Sequence, residues 1–309
     1  MSETTASLRR RLDSTTELQS VVRTMKSLAA SSIGQYARSV RALGDYYRTV
    51  ELGLGACLRA DEPKALIGAQ AEPASSRVIG AVVFGSDQGL VGQFNDVVAE
   101  EAAKTLASLP GQARVWAVGR RVYARLIDAN LNSPRTFDVP SSIEGITPLV
   151  GQILTELEAW DDGSPVTELY LFYNRSEQGA AVRPVSERLL PLDDVWRRAR
   201  AALPWPTKAL PEVMGSGTEA LRALIRGYLF VSIFRASAES LASENASRLA
   251  AMDRAEKNID ESLETLKRAF HRMRQGGIDE ELFDVVSGFE ALSKKATPQA
   301  GSRARGGDT

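Results

Sequence analysis

The sequence has few prolines, the residue that interrupts helices most strongly, and nearly all of them lie in one region. Twelve of its 13 prolines lie between Pro63 and Pro211, and none lies in residues 1–59 or 212–297. Proline removes a backbone donor and costs about 3 kcal/mol in a helix interior, so each proline-free arm can form one long helix. The middle segment cannot, and it is expected to fold differently.

Residues that build reactive centres are equally scarce. The chain has one cysteine, Cys57, and one histidine, His271, so it cannot form an internal disulfide and has too few ligands for a Cys/His metal site. No stretch approaches the roughly 18 apolar residues of a membrane span. The net charge of −1 argues against a general nucleic-acid binder. We therefore expect a cytoplasmic protein without cofactor or metal, which contacts a membrane only through partners.

The first arm has apolar and small residues at a mean spacing near 3.6, which predicts one continuous helical stripe. The stripe comprises Leu18, Val22, Met25, Ala29, Ser32, Tyr36, Val40, Leu43, Tyr47, Val50, Leu54 and Leu58. A helix of some fifty residues is about 75 Å long and needs a partner for that stripe.

The last arm has a matching stripe, and the globular middle can reverse the chain so that the two arms pair antiparallel. Its positions are Leu221, Leu224, Tyr228, Leu249, Met252, Ala255, Ile259, Leu263, Leu266, Phe270 and Met273. The arms also carry opposite net charges, +4 for residues 1–60 and −4 for residues 212–292. Two solvated faces with a chance imbalance would show the same charges, and that alternative stays open. A break or bend of the helix at Gly276-Gly277, with Asp279 capping a renewed helix, is also expected.

The middle alternates β-branched runs with helical stretches, a pattern typical of a parallel sheet wound with helices. The predicted fold is α/β, with a long antiparallel two-helix coiled coil formed by the N- and C-terminal arms and an inserted Rossmann-like α/β domain. Residues 180–192 are expected to add a strand that Pro184 places at an edge, and residues 196–211 to form a linker. The predicted divisions are 1–62, 63–211 and 212–295, followed by a disordered tail at 296–309.

One glycine-rich turn, FGSDQGLVGQFN at residues 84–95, follows a predicted strand. Glycines in such a turn can let backbone donors approach a phosphate at a helix N-terminus. The spacing of Gly85, Gly89 and Gly92 lacks both the dinucleotide fingerprint and the lysine of a Walker loop. A tight turn that packs a helix against the sheet is the favoured interpretation. His271 lies far away on a predicted helix, so no Ser/His/Asp triad is expected.

Four segments together resemble the gamma subunit of F-type ATP synthases, the central-stalk rotor, over nearly the whole chain. They occur in the order of that family's motifs: TMKSLAAS at 24–31, SDQGLVGQFN at 86–95, SENASRLAAMDRAEKN at 243–258 and RQGGIDEELFDVVSGFEAL at 274–292. The resemblance implies paired arms inside a catalytic hexamer and an α/β middle near the membrane rotor ring. It further implies a non-catalytic role, in which rotation couples ion flow to ATP synthesis or hydrolysis.

The resemblance also implies partners and contact residues. The partners are the alpha and beta subunits of the hexamer, an epsilon-type subunit and the rotor ring, at the cytoplasmic face of the cell membrane. The implied coupling and partner-binding positions are Met25, Lys26, Arg248, Gln275, Asp279 and Glu281. Asp279 stands where the family commonly has threonine, and Gln88 where it has arginine or lysine. These departures suggest a divergent or alternative F-type complex.

Three functions therefore follow from the sequence. The first is the rotor subunit. The second is a coiled-coil scaffold in which the middle acts as a spacer. The third is a nucleotide-binding α/β enzyme, which requires residues 84–95 to hold a phosphate.

Overall fold

The computed structural model describes residues 4–59, 77–131, 135–158, 166–176, 182–209, 211–212 and 217–295, with side chains described up to residue 289. Its contacts divide the chain into two compact units, Met1–Arg23 with Ala255–Thr309, and Thr24–Arg254. Each unit contains part of both terminal helices, and the sheet belongs to the second. The predicted boundary after residue 62 and the predicted tail at 296–309 lie outside the described residues.

The two terminal helices are long, as predicted. Helix α1 spans Thr5–Arg59 and helix α6 spans Gly217–Lys295. Of the break or bend predicted at Gly276-Gly277, the break is wrong, because α6 continues through both residues and no helix restarts at Asp279. A glycine costs about 1 kcal/mol in a helix but keeps its backbone N–H, so unlike proline it does not remove a hydrogen bond from the helix.

In the unit formed by Met1–Arg23 and Ala255–Thr309, the two helices pair antiparallel. The Gln19 amide donates to the Asp260 carboxylate, and four residues further on the Arg23 guanidinium lies 2.8 Å from Glu256. A step of four up α1 thus matches a step of four down α6, which defines an antiparallel register. The buried apolar residues of this pair are Leu8, Val22, Ile259, Leu263 and Leu266.

The buried positions of α1 differ from the predicted stripe at its start. Leu18 is 52% exposed, whereas Leu8, which the prediction omitted, is 1% exposed. Between residues 8 and 50, the buried residues recur at multiples of seven: Leu8, Val22, Ala29, Tyr36 and Val50. This period of 3.5 is that of a coiled coil, and over two heptads it diverges from the 3.6 spacing used to draw the stripe.

In the unit Thr24–Arg254, the ends of the helices pack against a short helix, α5 (Asp194–Ala201). A Cβ on Gly55 would lie 2.6 Å from the carbonyl oxygen of Arg200, so only glycine allows α1 to approach this closely. The apolar cluster at this place buries Cys57, as expected for a small apolar side chain, and burial raises the pKa of its thiol. Its other buried members are Val50, Leu54, Leu192, Leu221 and Tyr228.

The middle forms a five-stranded sheet in the order β3-β2-β1-β4-β5. The strands are β1 Val78–Phe84, β2 Gln112–Val118, β3 Arg135–Phe137, β4 Glu168–Ser176 and β5 Val182–Leu190. The helices between them are α2 Phe94–Ser108, α3 Arg120–Asp128 and α4 Ile146–Glu158. The first four strands are parallel, and β5 pairs antiparallel with β4. This is the doubly wound arrangement that the sequence predicted.

Helices cover both faces of the sheet, and alternate residues of each strand enter different cores. On one face Val82 and Trp116 pack against α4 and against Tyr36 of α1 and Ile233 of α6. On the other face Val83 and its neighbours pack against α2 and α3. The sheet is therefore covered by α2 and α3 on one face and by α4 with both terminal helices on the other.

Two elements were not predicted. Strand β3 has only three residues, too few for an alternating pattern to be visible. Helix α5 lies partly within the predicted linker, and it begins where the Asp193 carboxylate caps the backbone N–H of Trp196. The expected strand with Pro184 is confirmed as β5, at the edge of the sheet. Within the described ranges, no helix has the length and hydropathy needed to cross a membrane.

A charged group joins α6 to the sheet edge. The Arg235 guanidinium donates to both carboxylate oxygens of Glu187 on β5, each at 2.8 Å, and lies 5.4 Å from the ring centre of Tyr47 on α1. One side chain thus contacts a strand and the other terminal helix. Glu239, one turn along α6, pairs with Arg175 of β4 at 2.7 Å.

Candidate functional site: partner-contact residues and the loop after β1

The glycine-rich turn is closed by its own hydrogen bonds. Ser86 is fully buried, and its backbone N–H donates to the Asn95 side-chain oxygen at 2.9 Å. The Asn95 amide donates in return to the Ser86 hydroxyl at 2.8 Å. A Cβ on Gly85 would lie 2.3 Å from Val122, so this glycine is required for α3 to pack against the strand end.

Asp87 connects the ends of three parallel strands. One carboxylate oxygen accepts the backbone N–H of Arg120, the first residue of α3, and the other accepts that of Val139 after β3, both at 2.8 Å. The carboxylate therefore caps a helix and holds two loops together. The backbone N–H groups of Gly85, Ser86 and Phe94 are bonded within the fold, which favours the tight-turn interpretation over a phosphate site.

Met25 and Lys26 lie on α1 where it pairs with α6 in the unit Thr24–Arg254. Met25 is half-buried, and the Lys26 ammonium lies 2.6 Å from the Asp253 carboxylate. Both charged side chains of this pair are partly exposed. The Lys26 charge is thus engaged within the chain, while Met25 keeps part of its surface accessible.

Arg248 lies on α6 and is largely buried. Its guanidinium donates to Glu244, one turn earlier, at 2.7 Å. Glu244 is only 6% exposed, and burial raises the pKa of its carboxyl group, while the hydrogen bond from Arg248 opposes that rise. The Arg248 guanidinium is therefore paired within its own helix, and little of its charge is exposed at the surface.

Gln275, Asp279 and Glu281 lie on α6 in the other unit, and all three are exposed. Counting along the antiparallel register from Arg23 and Glu256 brings Thr5, the first residue of α1, opposite Arg274. Past this point α6 has no facing α1 residue among those described. The segment 275–289, here called the overhang, exposes six large apolar side chains: Ile278, Leu282, Phe283, Val285, Val286 and Phe289.

The overhang is the feature that sequence reasoning missed. No contact role is predicted for its apolar residues, yet Phe283 and Phe289 are 71% and 74% exposed. The signal was present in the lengths of the two helices, since α6 has 79 residues and α1 has 55. Six apolar side chains within twelve residues form an exposed surface of the kind that marks a protein contact.

A family model described as ATP synthase matches residues 4–292. A curated relative from Syntrophus aciditrophicus, an ATP synthase gamma chain, is 33% identical over 226 residues, which cover 70% of this chain and 74% of the relative. The chain belongs to the ATP synthase gamma family. A gamma chain from Nocardioides sp. is 29% identical over 309 residues and covers 95% of this chain and 97% of its own length.

Solved structures agree with this gamma fold. The rotor of the Euglena gracilis mitochondrial ATP synthase in rotational state 1 matches with a TM-score of 0.59 and 14% identity, covering 89% of this chain and 98% of that one. A chain from the same enzyme's OSCP/F1/c-ring structure matches with a TM-score of 0.62 and 15% identity, covering 97% and 99%. At these identities the likeness shows the fold, and it confirms the predicted long terminal helices around a parallel sheet.

The six predicted contact positions of this gamma family member fall into two groups. Met25, Lys26 and Arg248 lie in the unit Thr24–Arg254, and Gln275, Asp279 and Glu281 lie in the other. Their roles stay predictions. Within the described part of the chain, no cluster of three or more His, Cys, Asp or Glu side chains could hold a metal ion.

Proposed function

We propose that this central-stalk gamma subunit is the rotating shaft that couples ion translocation to ATP synthesis or hydrolysis, and that it has no catalytic residues of its own. The overhang carries the proposal, because its exposed apolar side chains extend past the pairing with α1. Five of the six, at Ile278, Leu282, Val285, Val286 and Phe289, recur at helical spacing on one face of α6. The proposal is that subunits of the hexamer cover this face.

The proposed partners are the alpha and beta subunits of a catalytic hexamer around the overhang, with an epsilon-type subunit and the membrane ring at the α/β part. One structural neighbour was solved within an assembly described as OSCP/F1/c-ring, which supports this arrangement. We place the chain at the cytoplasmic face of the membrane, held there by its partners. No cofactor is required for such a role.

The proposed contact residues act in different ways. Gln275, Asp279 and Glu281 are exposed on the overhang and are available for direct hydrogen bonds with the hexamer. Met25 contributes an apolar surface beside the Lys26–Asp253 pair. Arg248 acts through Glu244, since its guanidinium is engaged there. Asp279 adds a negative charge to the overhang, which a partner would have to match.

The proposed division of labour follows the predicted boundaries. Residues 1–62 and 212–295 form the shaft, residues 63–211 form the foot, and residues 296–309 form a tail with no part in assembly. Supporting the first two assignments, the described helices α1 and α6 end and begin near residues 62 and 212.

A copurification experiment tests the proposal. The tagged full chain is coexpressed with alpha and beta subunits, and the stoichiometry of the purified complex and its ATP-driven ion pumping are measured. We expect Phe283→Asp to abolish pumping and to weaken retention of the hexamer, because it places a charge within the apolar overhang. The matched control is Val195→Asp, which alters a residue of similar exposure, 70%, on α5.

Unchanged pumping by Phe283→Asp, or equal losses in both variants, would contradict the proposal. A chain that copurifies with no hexamer at all would instead favour the scaffold hypothesis.

A further inference from the structure

The face of α6 that pairs with α1 does not continue as an apolar face into the overhang. In the helix pair, the buried and half-buried α6 residues follow steps of four and three: Ile259, Leu263, Leu266, Phe270 and Met273. The same steps lead next to Gly277, Glu280, Asp284 and Ser287. The positions in line with the pairing face are therefore glycine or polar throughout the overhang.

The apolar face of the overhang lies on another side of the helix. Its residues are between 50% and 74% exposed, and they are Ile278, Leu282, Val285, Val286 and Phe289. At 3.6 residues per turn, the centre of this face is rotated by roughly a third of a turn from the residues that pair with α1. The overhang thus presents a second contact surface, which is not the unpaired end of the first.

Every charged side chain of the overhang is acidic. Residues 275–289 contain no lysine or arginine, and their four acidic residues are Asp279, Glu280, Glu281 and Asp284. All four are exposed, and none forms an ion pair with another residue in the described part of the chain. The next lysines, at 294 and 295, lie about 15 Å along the helix axis from Asp284, which exceeds the Debye length at physiological salt. The overhang therefore has an uncompensated negative charge.

Two of the four carboxylates border the apolar face. Asp279 and Glu281 lie at opposite edges of it, each roughly 80° around the helix from its centre. Glu280 and Asp284 lie on the opposite side of α6. A surface that covers the apolar face must also approach both borders, and a carboxylate that loses water there without gaining a partner is costly.

We propose that the surface covering the overhang is apolar at its centre and basic at both borders, with lysine or arginine side chains opposite Asp279 and Glu281. This inference rests on the proposed function, in which that surface belongs to alpha and beta subunits of the hexamer. A second copy of this chain is disfavoured as the occupant, because it would bring two acidic overhangs together. The border charges orient and speed association, and the apolar centre supplies its strength.

Release of the hexamer from charge variants of the full chain tests the inference. The tagged chain is coexpressed with alpha and beta subunits, the complex is immobilised through the tag, and the loss of alpha and beta is timed at low and at high salt. We expect the double variant Asp279→Lys/Glu281→Lys to release the hexamer about tenfold faster than the wild type at low salt, because like charges would face each other at both borders. The difference should shrink at about 0.5 M salt, where the Debye length is only a few ångströms.

The overhang itself offers a matched control. Glu280→Lys/Asp284→Lys makes the same change of charge on the opposite side of α6, and its release rate should stay within about twofold of the wild type. Both double variants place lysine, a good helix former, at exposed positions, so neither should disturb the helix. The neutral variant Asp279→Asn/Glu281→Gln should lie between the wild type and the reversed variant, which a loss of shape alone would not produce.

The possible failures are distinguishable. If the wild-type chain retains the hexamer but the border and control variants release it equally fast, the basic surface is wrong and the rotor function stands. If the wild-type chain retains no hexamer, both proposals fall. A dimer of the wild-type chain that alpha and beta subunits do not displace would show that a second copy covers the apolar face, and it would also overturn the inference.

Discussion

The α/β sheet and the helix pair formed by Met1–Arg23 with Ala255–Thr309 are held together by different kinds of contact. The sheet buries apolar side chains on both faces, many of them completely, as Trp116 and Val82 show. The helix pair buries a single row, exemplified by Leu8 and Leu263, beside ion pairs at its surface. The difference teaches that both faces of the sheet are covered within the chain, whereas the helix pair leaves surface for others to cover.

The largest expected effect lies in the sheet. Trp116→Ala should lower the free energy of unfolding by about 3–5 kcal/mol, because it empties a fully buried site in close-packed surroundings. Chemical denaturation of the full chain measures it. Tyr46→Ala, at a residue that is 51% exposed, serves as the control and should change stability little. Equal effects at the two positions would remove the contrast between core and surface.

The second-largest expected loss of stability lies in the loop after β1. Asp87→Ala removes the acceptor of two backbone N–H groups and should destabilise the chain by about 2–3 kcal/mol. Asp87→Asn keeps one oxygen acceptor and should cost clearly less. The same denaturation measurement ranks the two variants. Should they prove equally destabilising, the carboxylate would not be acting as a double cap.

Within the helix pair, the effect of a leucine depends on its register. Leu263→Ala should cost about 2 kcal/mol, since Leu263 is buried against α1, while Leu18→Ala should stay within about 0.5 kcal/mol. Thermal or chemical unfolding of the two variants side by side gives the comparison. A larger loss of stability in Leu18→Ala than in Leu263→Ala would contradict this register and support the stripe predicted from the 3.6-residue spacing.

The smallest expected effect belongs to the ion pairs that flank the helices. A double-mutant cycle on Lys26 and Asp253, with alanine at each position, should yield a coupling of less than about 1 kcal/mol, because both side chains are partly exposed. Added salt should reduce it further. A coupling several times larger, or one insensitive to salt, would mean that these charges hold the helices together.

Sequence patterns predicted the long helices and the parallel sheet because both depend on periodicity over many residues. They placed Leu18 in the seam and omitted Leu8, because the buried positions depend on the register with α6, which the spacing within α1 alone does not reveal. Strand β3 is set by pairing with β2 and not by its own three residues. The burial of Glu244 arises from the meeting of α1, α6 and two loops, a tertiary fact that no local pattern contains.

The exposure of the overhang is also a tertiary fact that no local sequence pattern contains. Its apolar residues have ordinary helical spacing, and only the register of the helix pair reveals that nothing in the described chain faces them. A length comparison of the two proline-free arms is the one sequence observation that could have suggested it.

The contacts of Arg235 also determine how the molecule responds to twisting. Apolar contacts are non-directional, whereas the Arg235 guanidinium donates to both oxygens of Glu187 and so restrains α6 relative to β5. Torque on α6 would therefore be transmitted to strand β5 through the contact between Arg235 and Glu187. The contact between Arg235 and the Tyr47 ring would transmit part of that torque to α1.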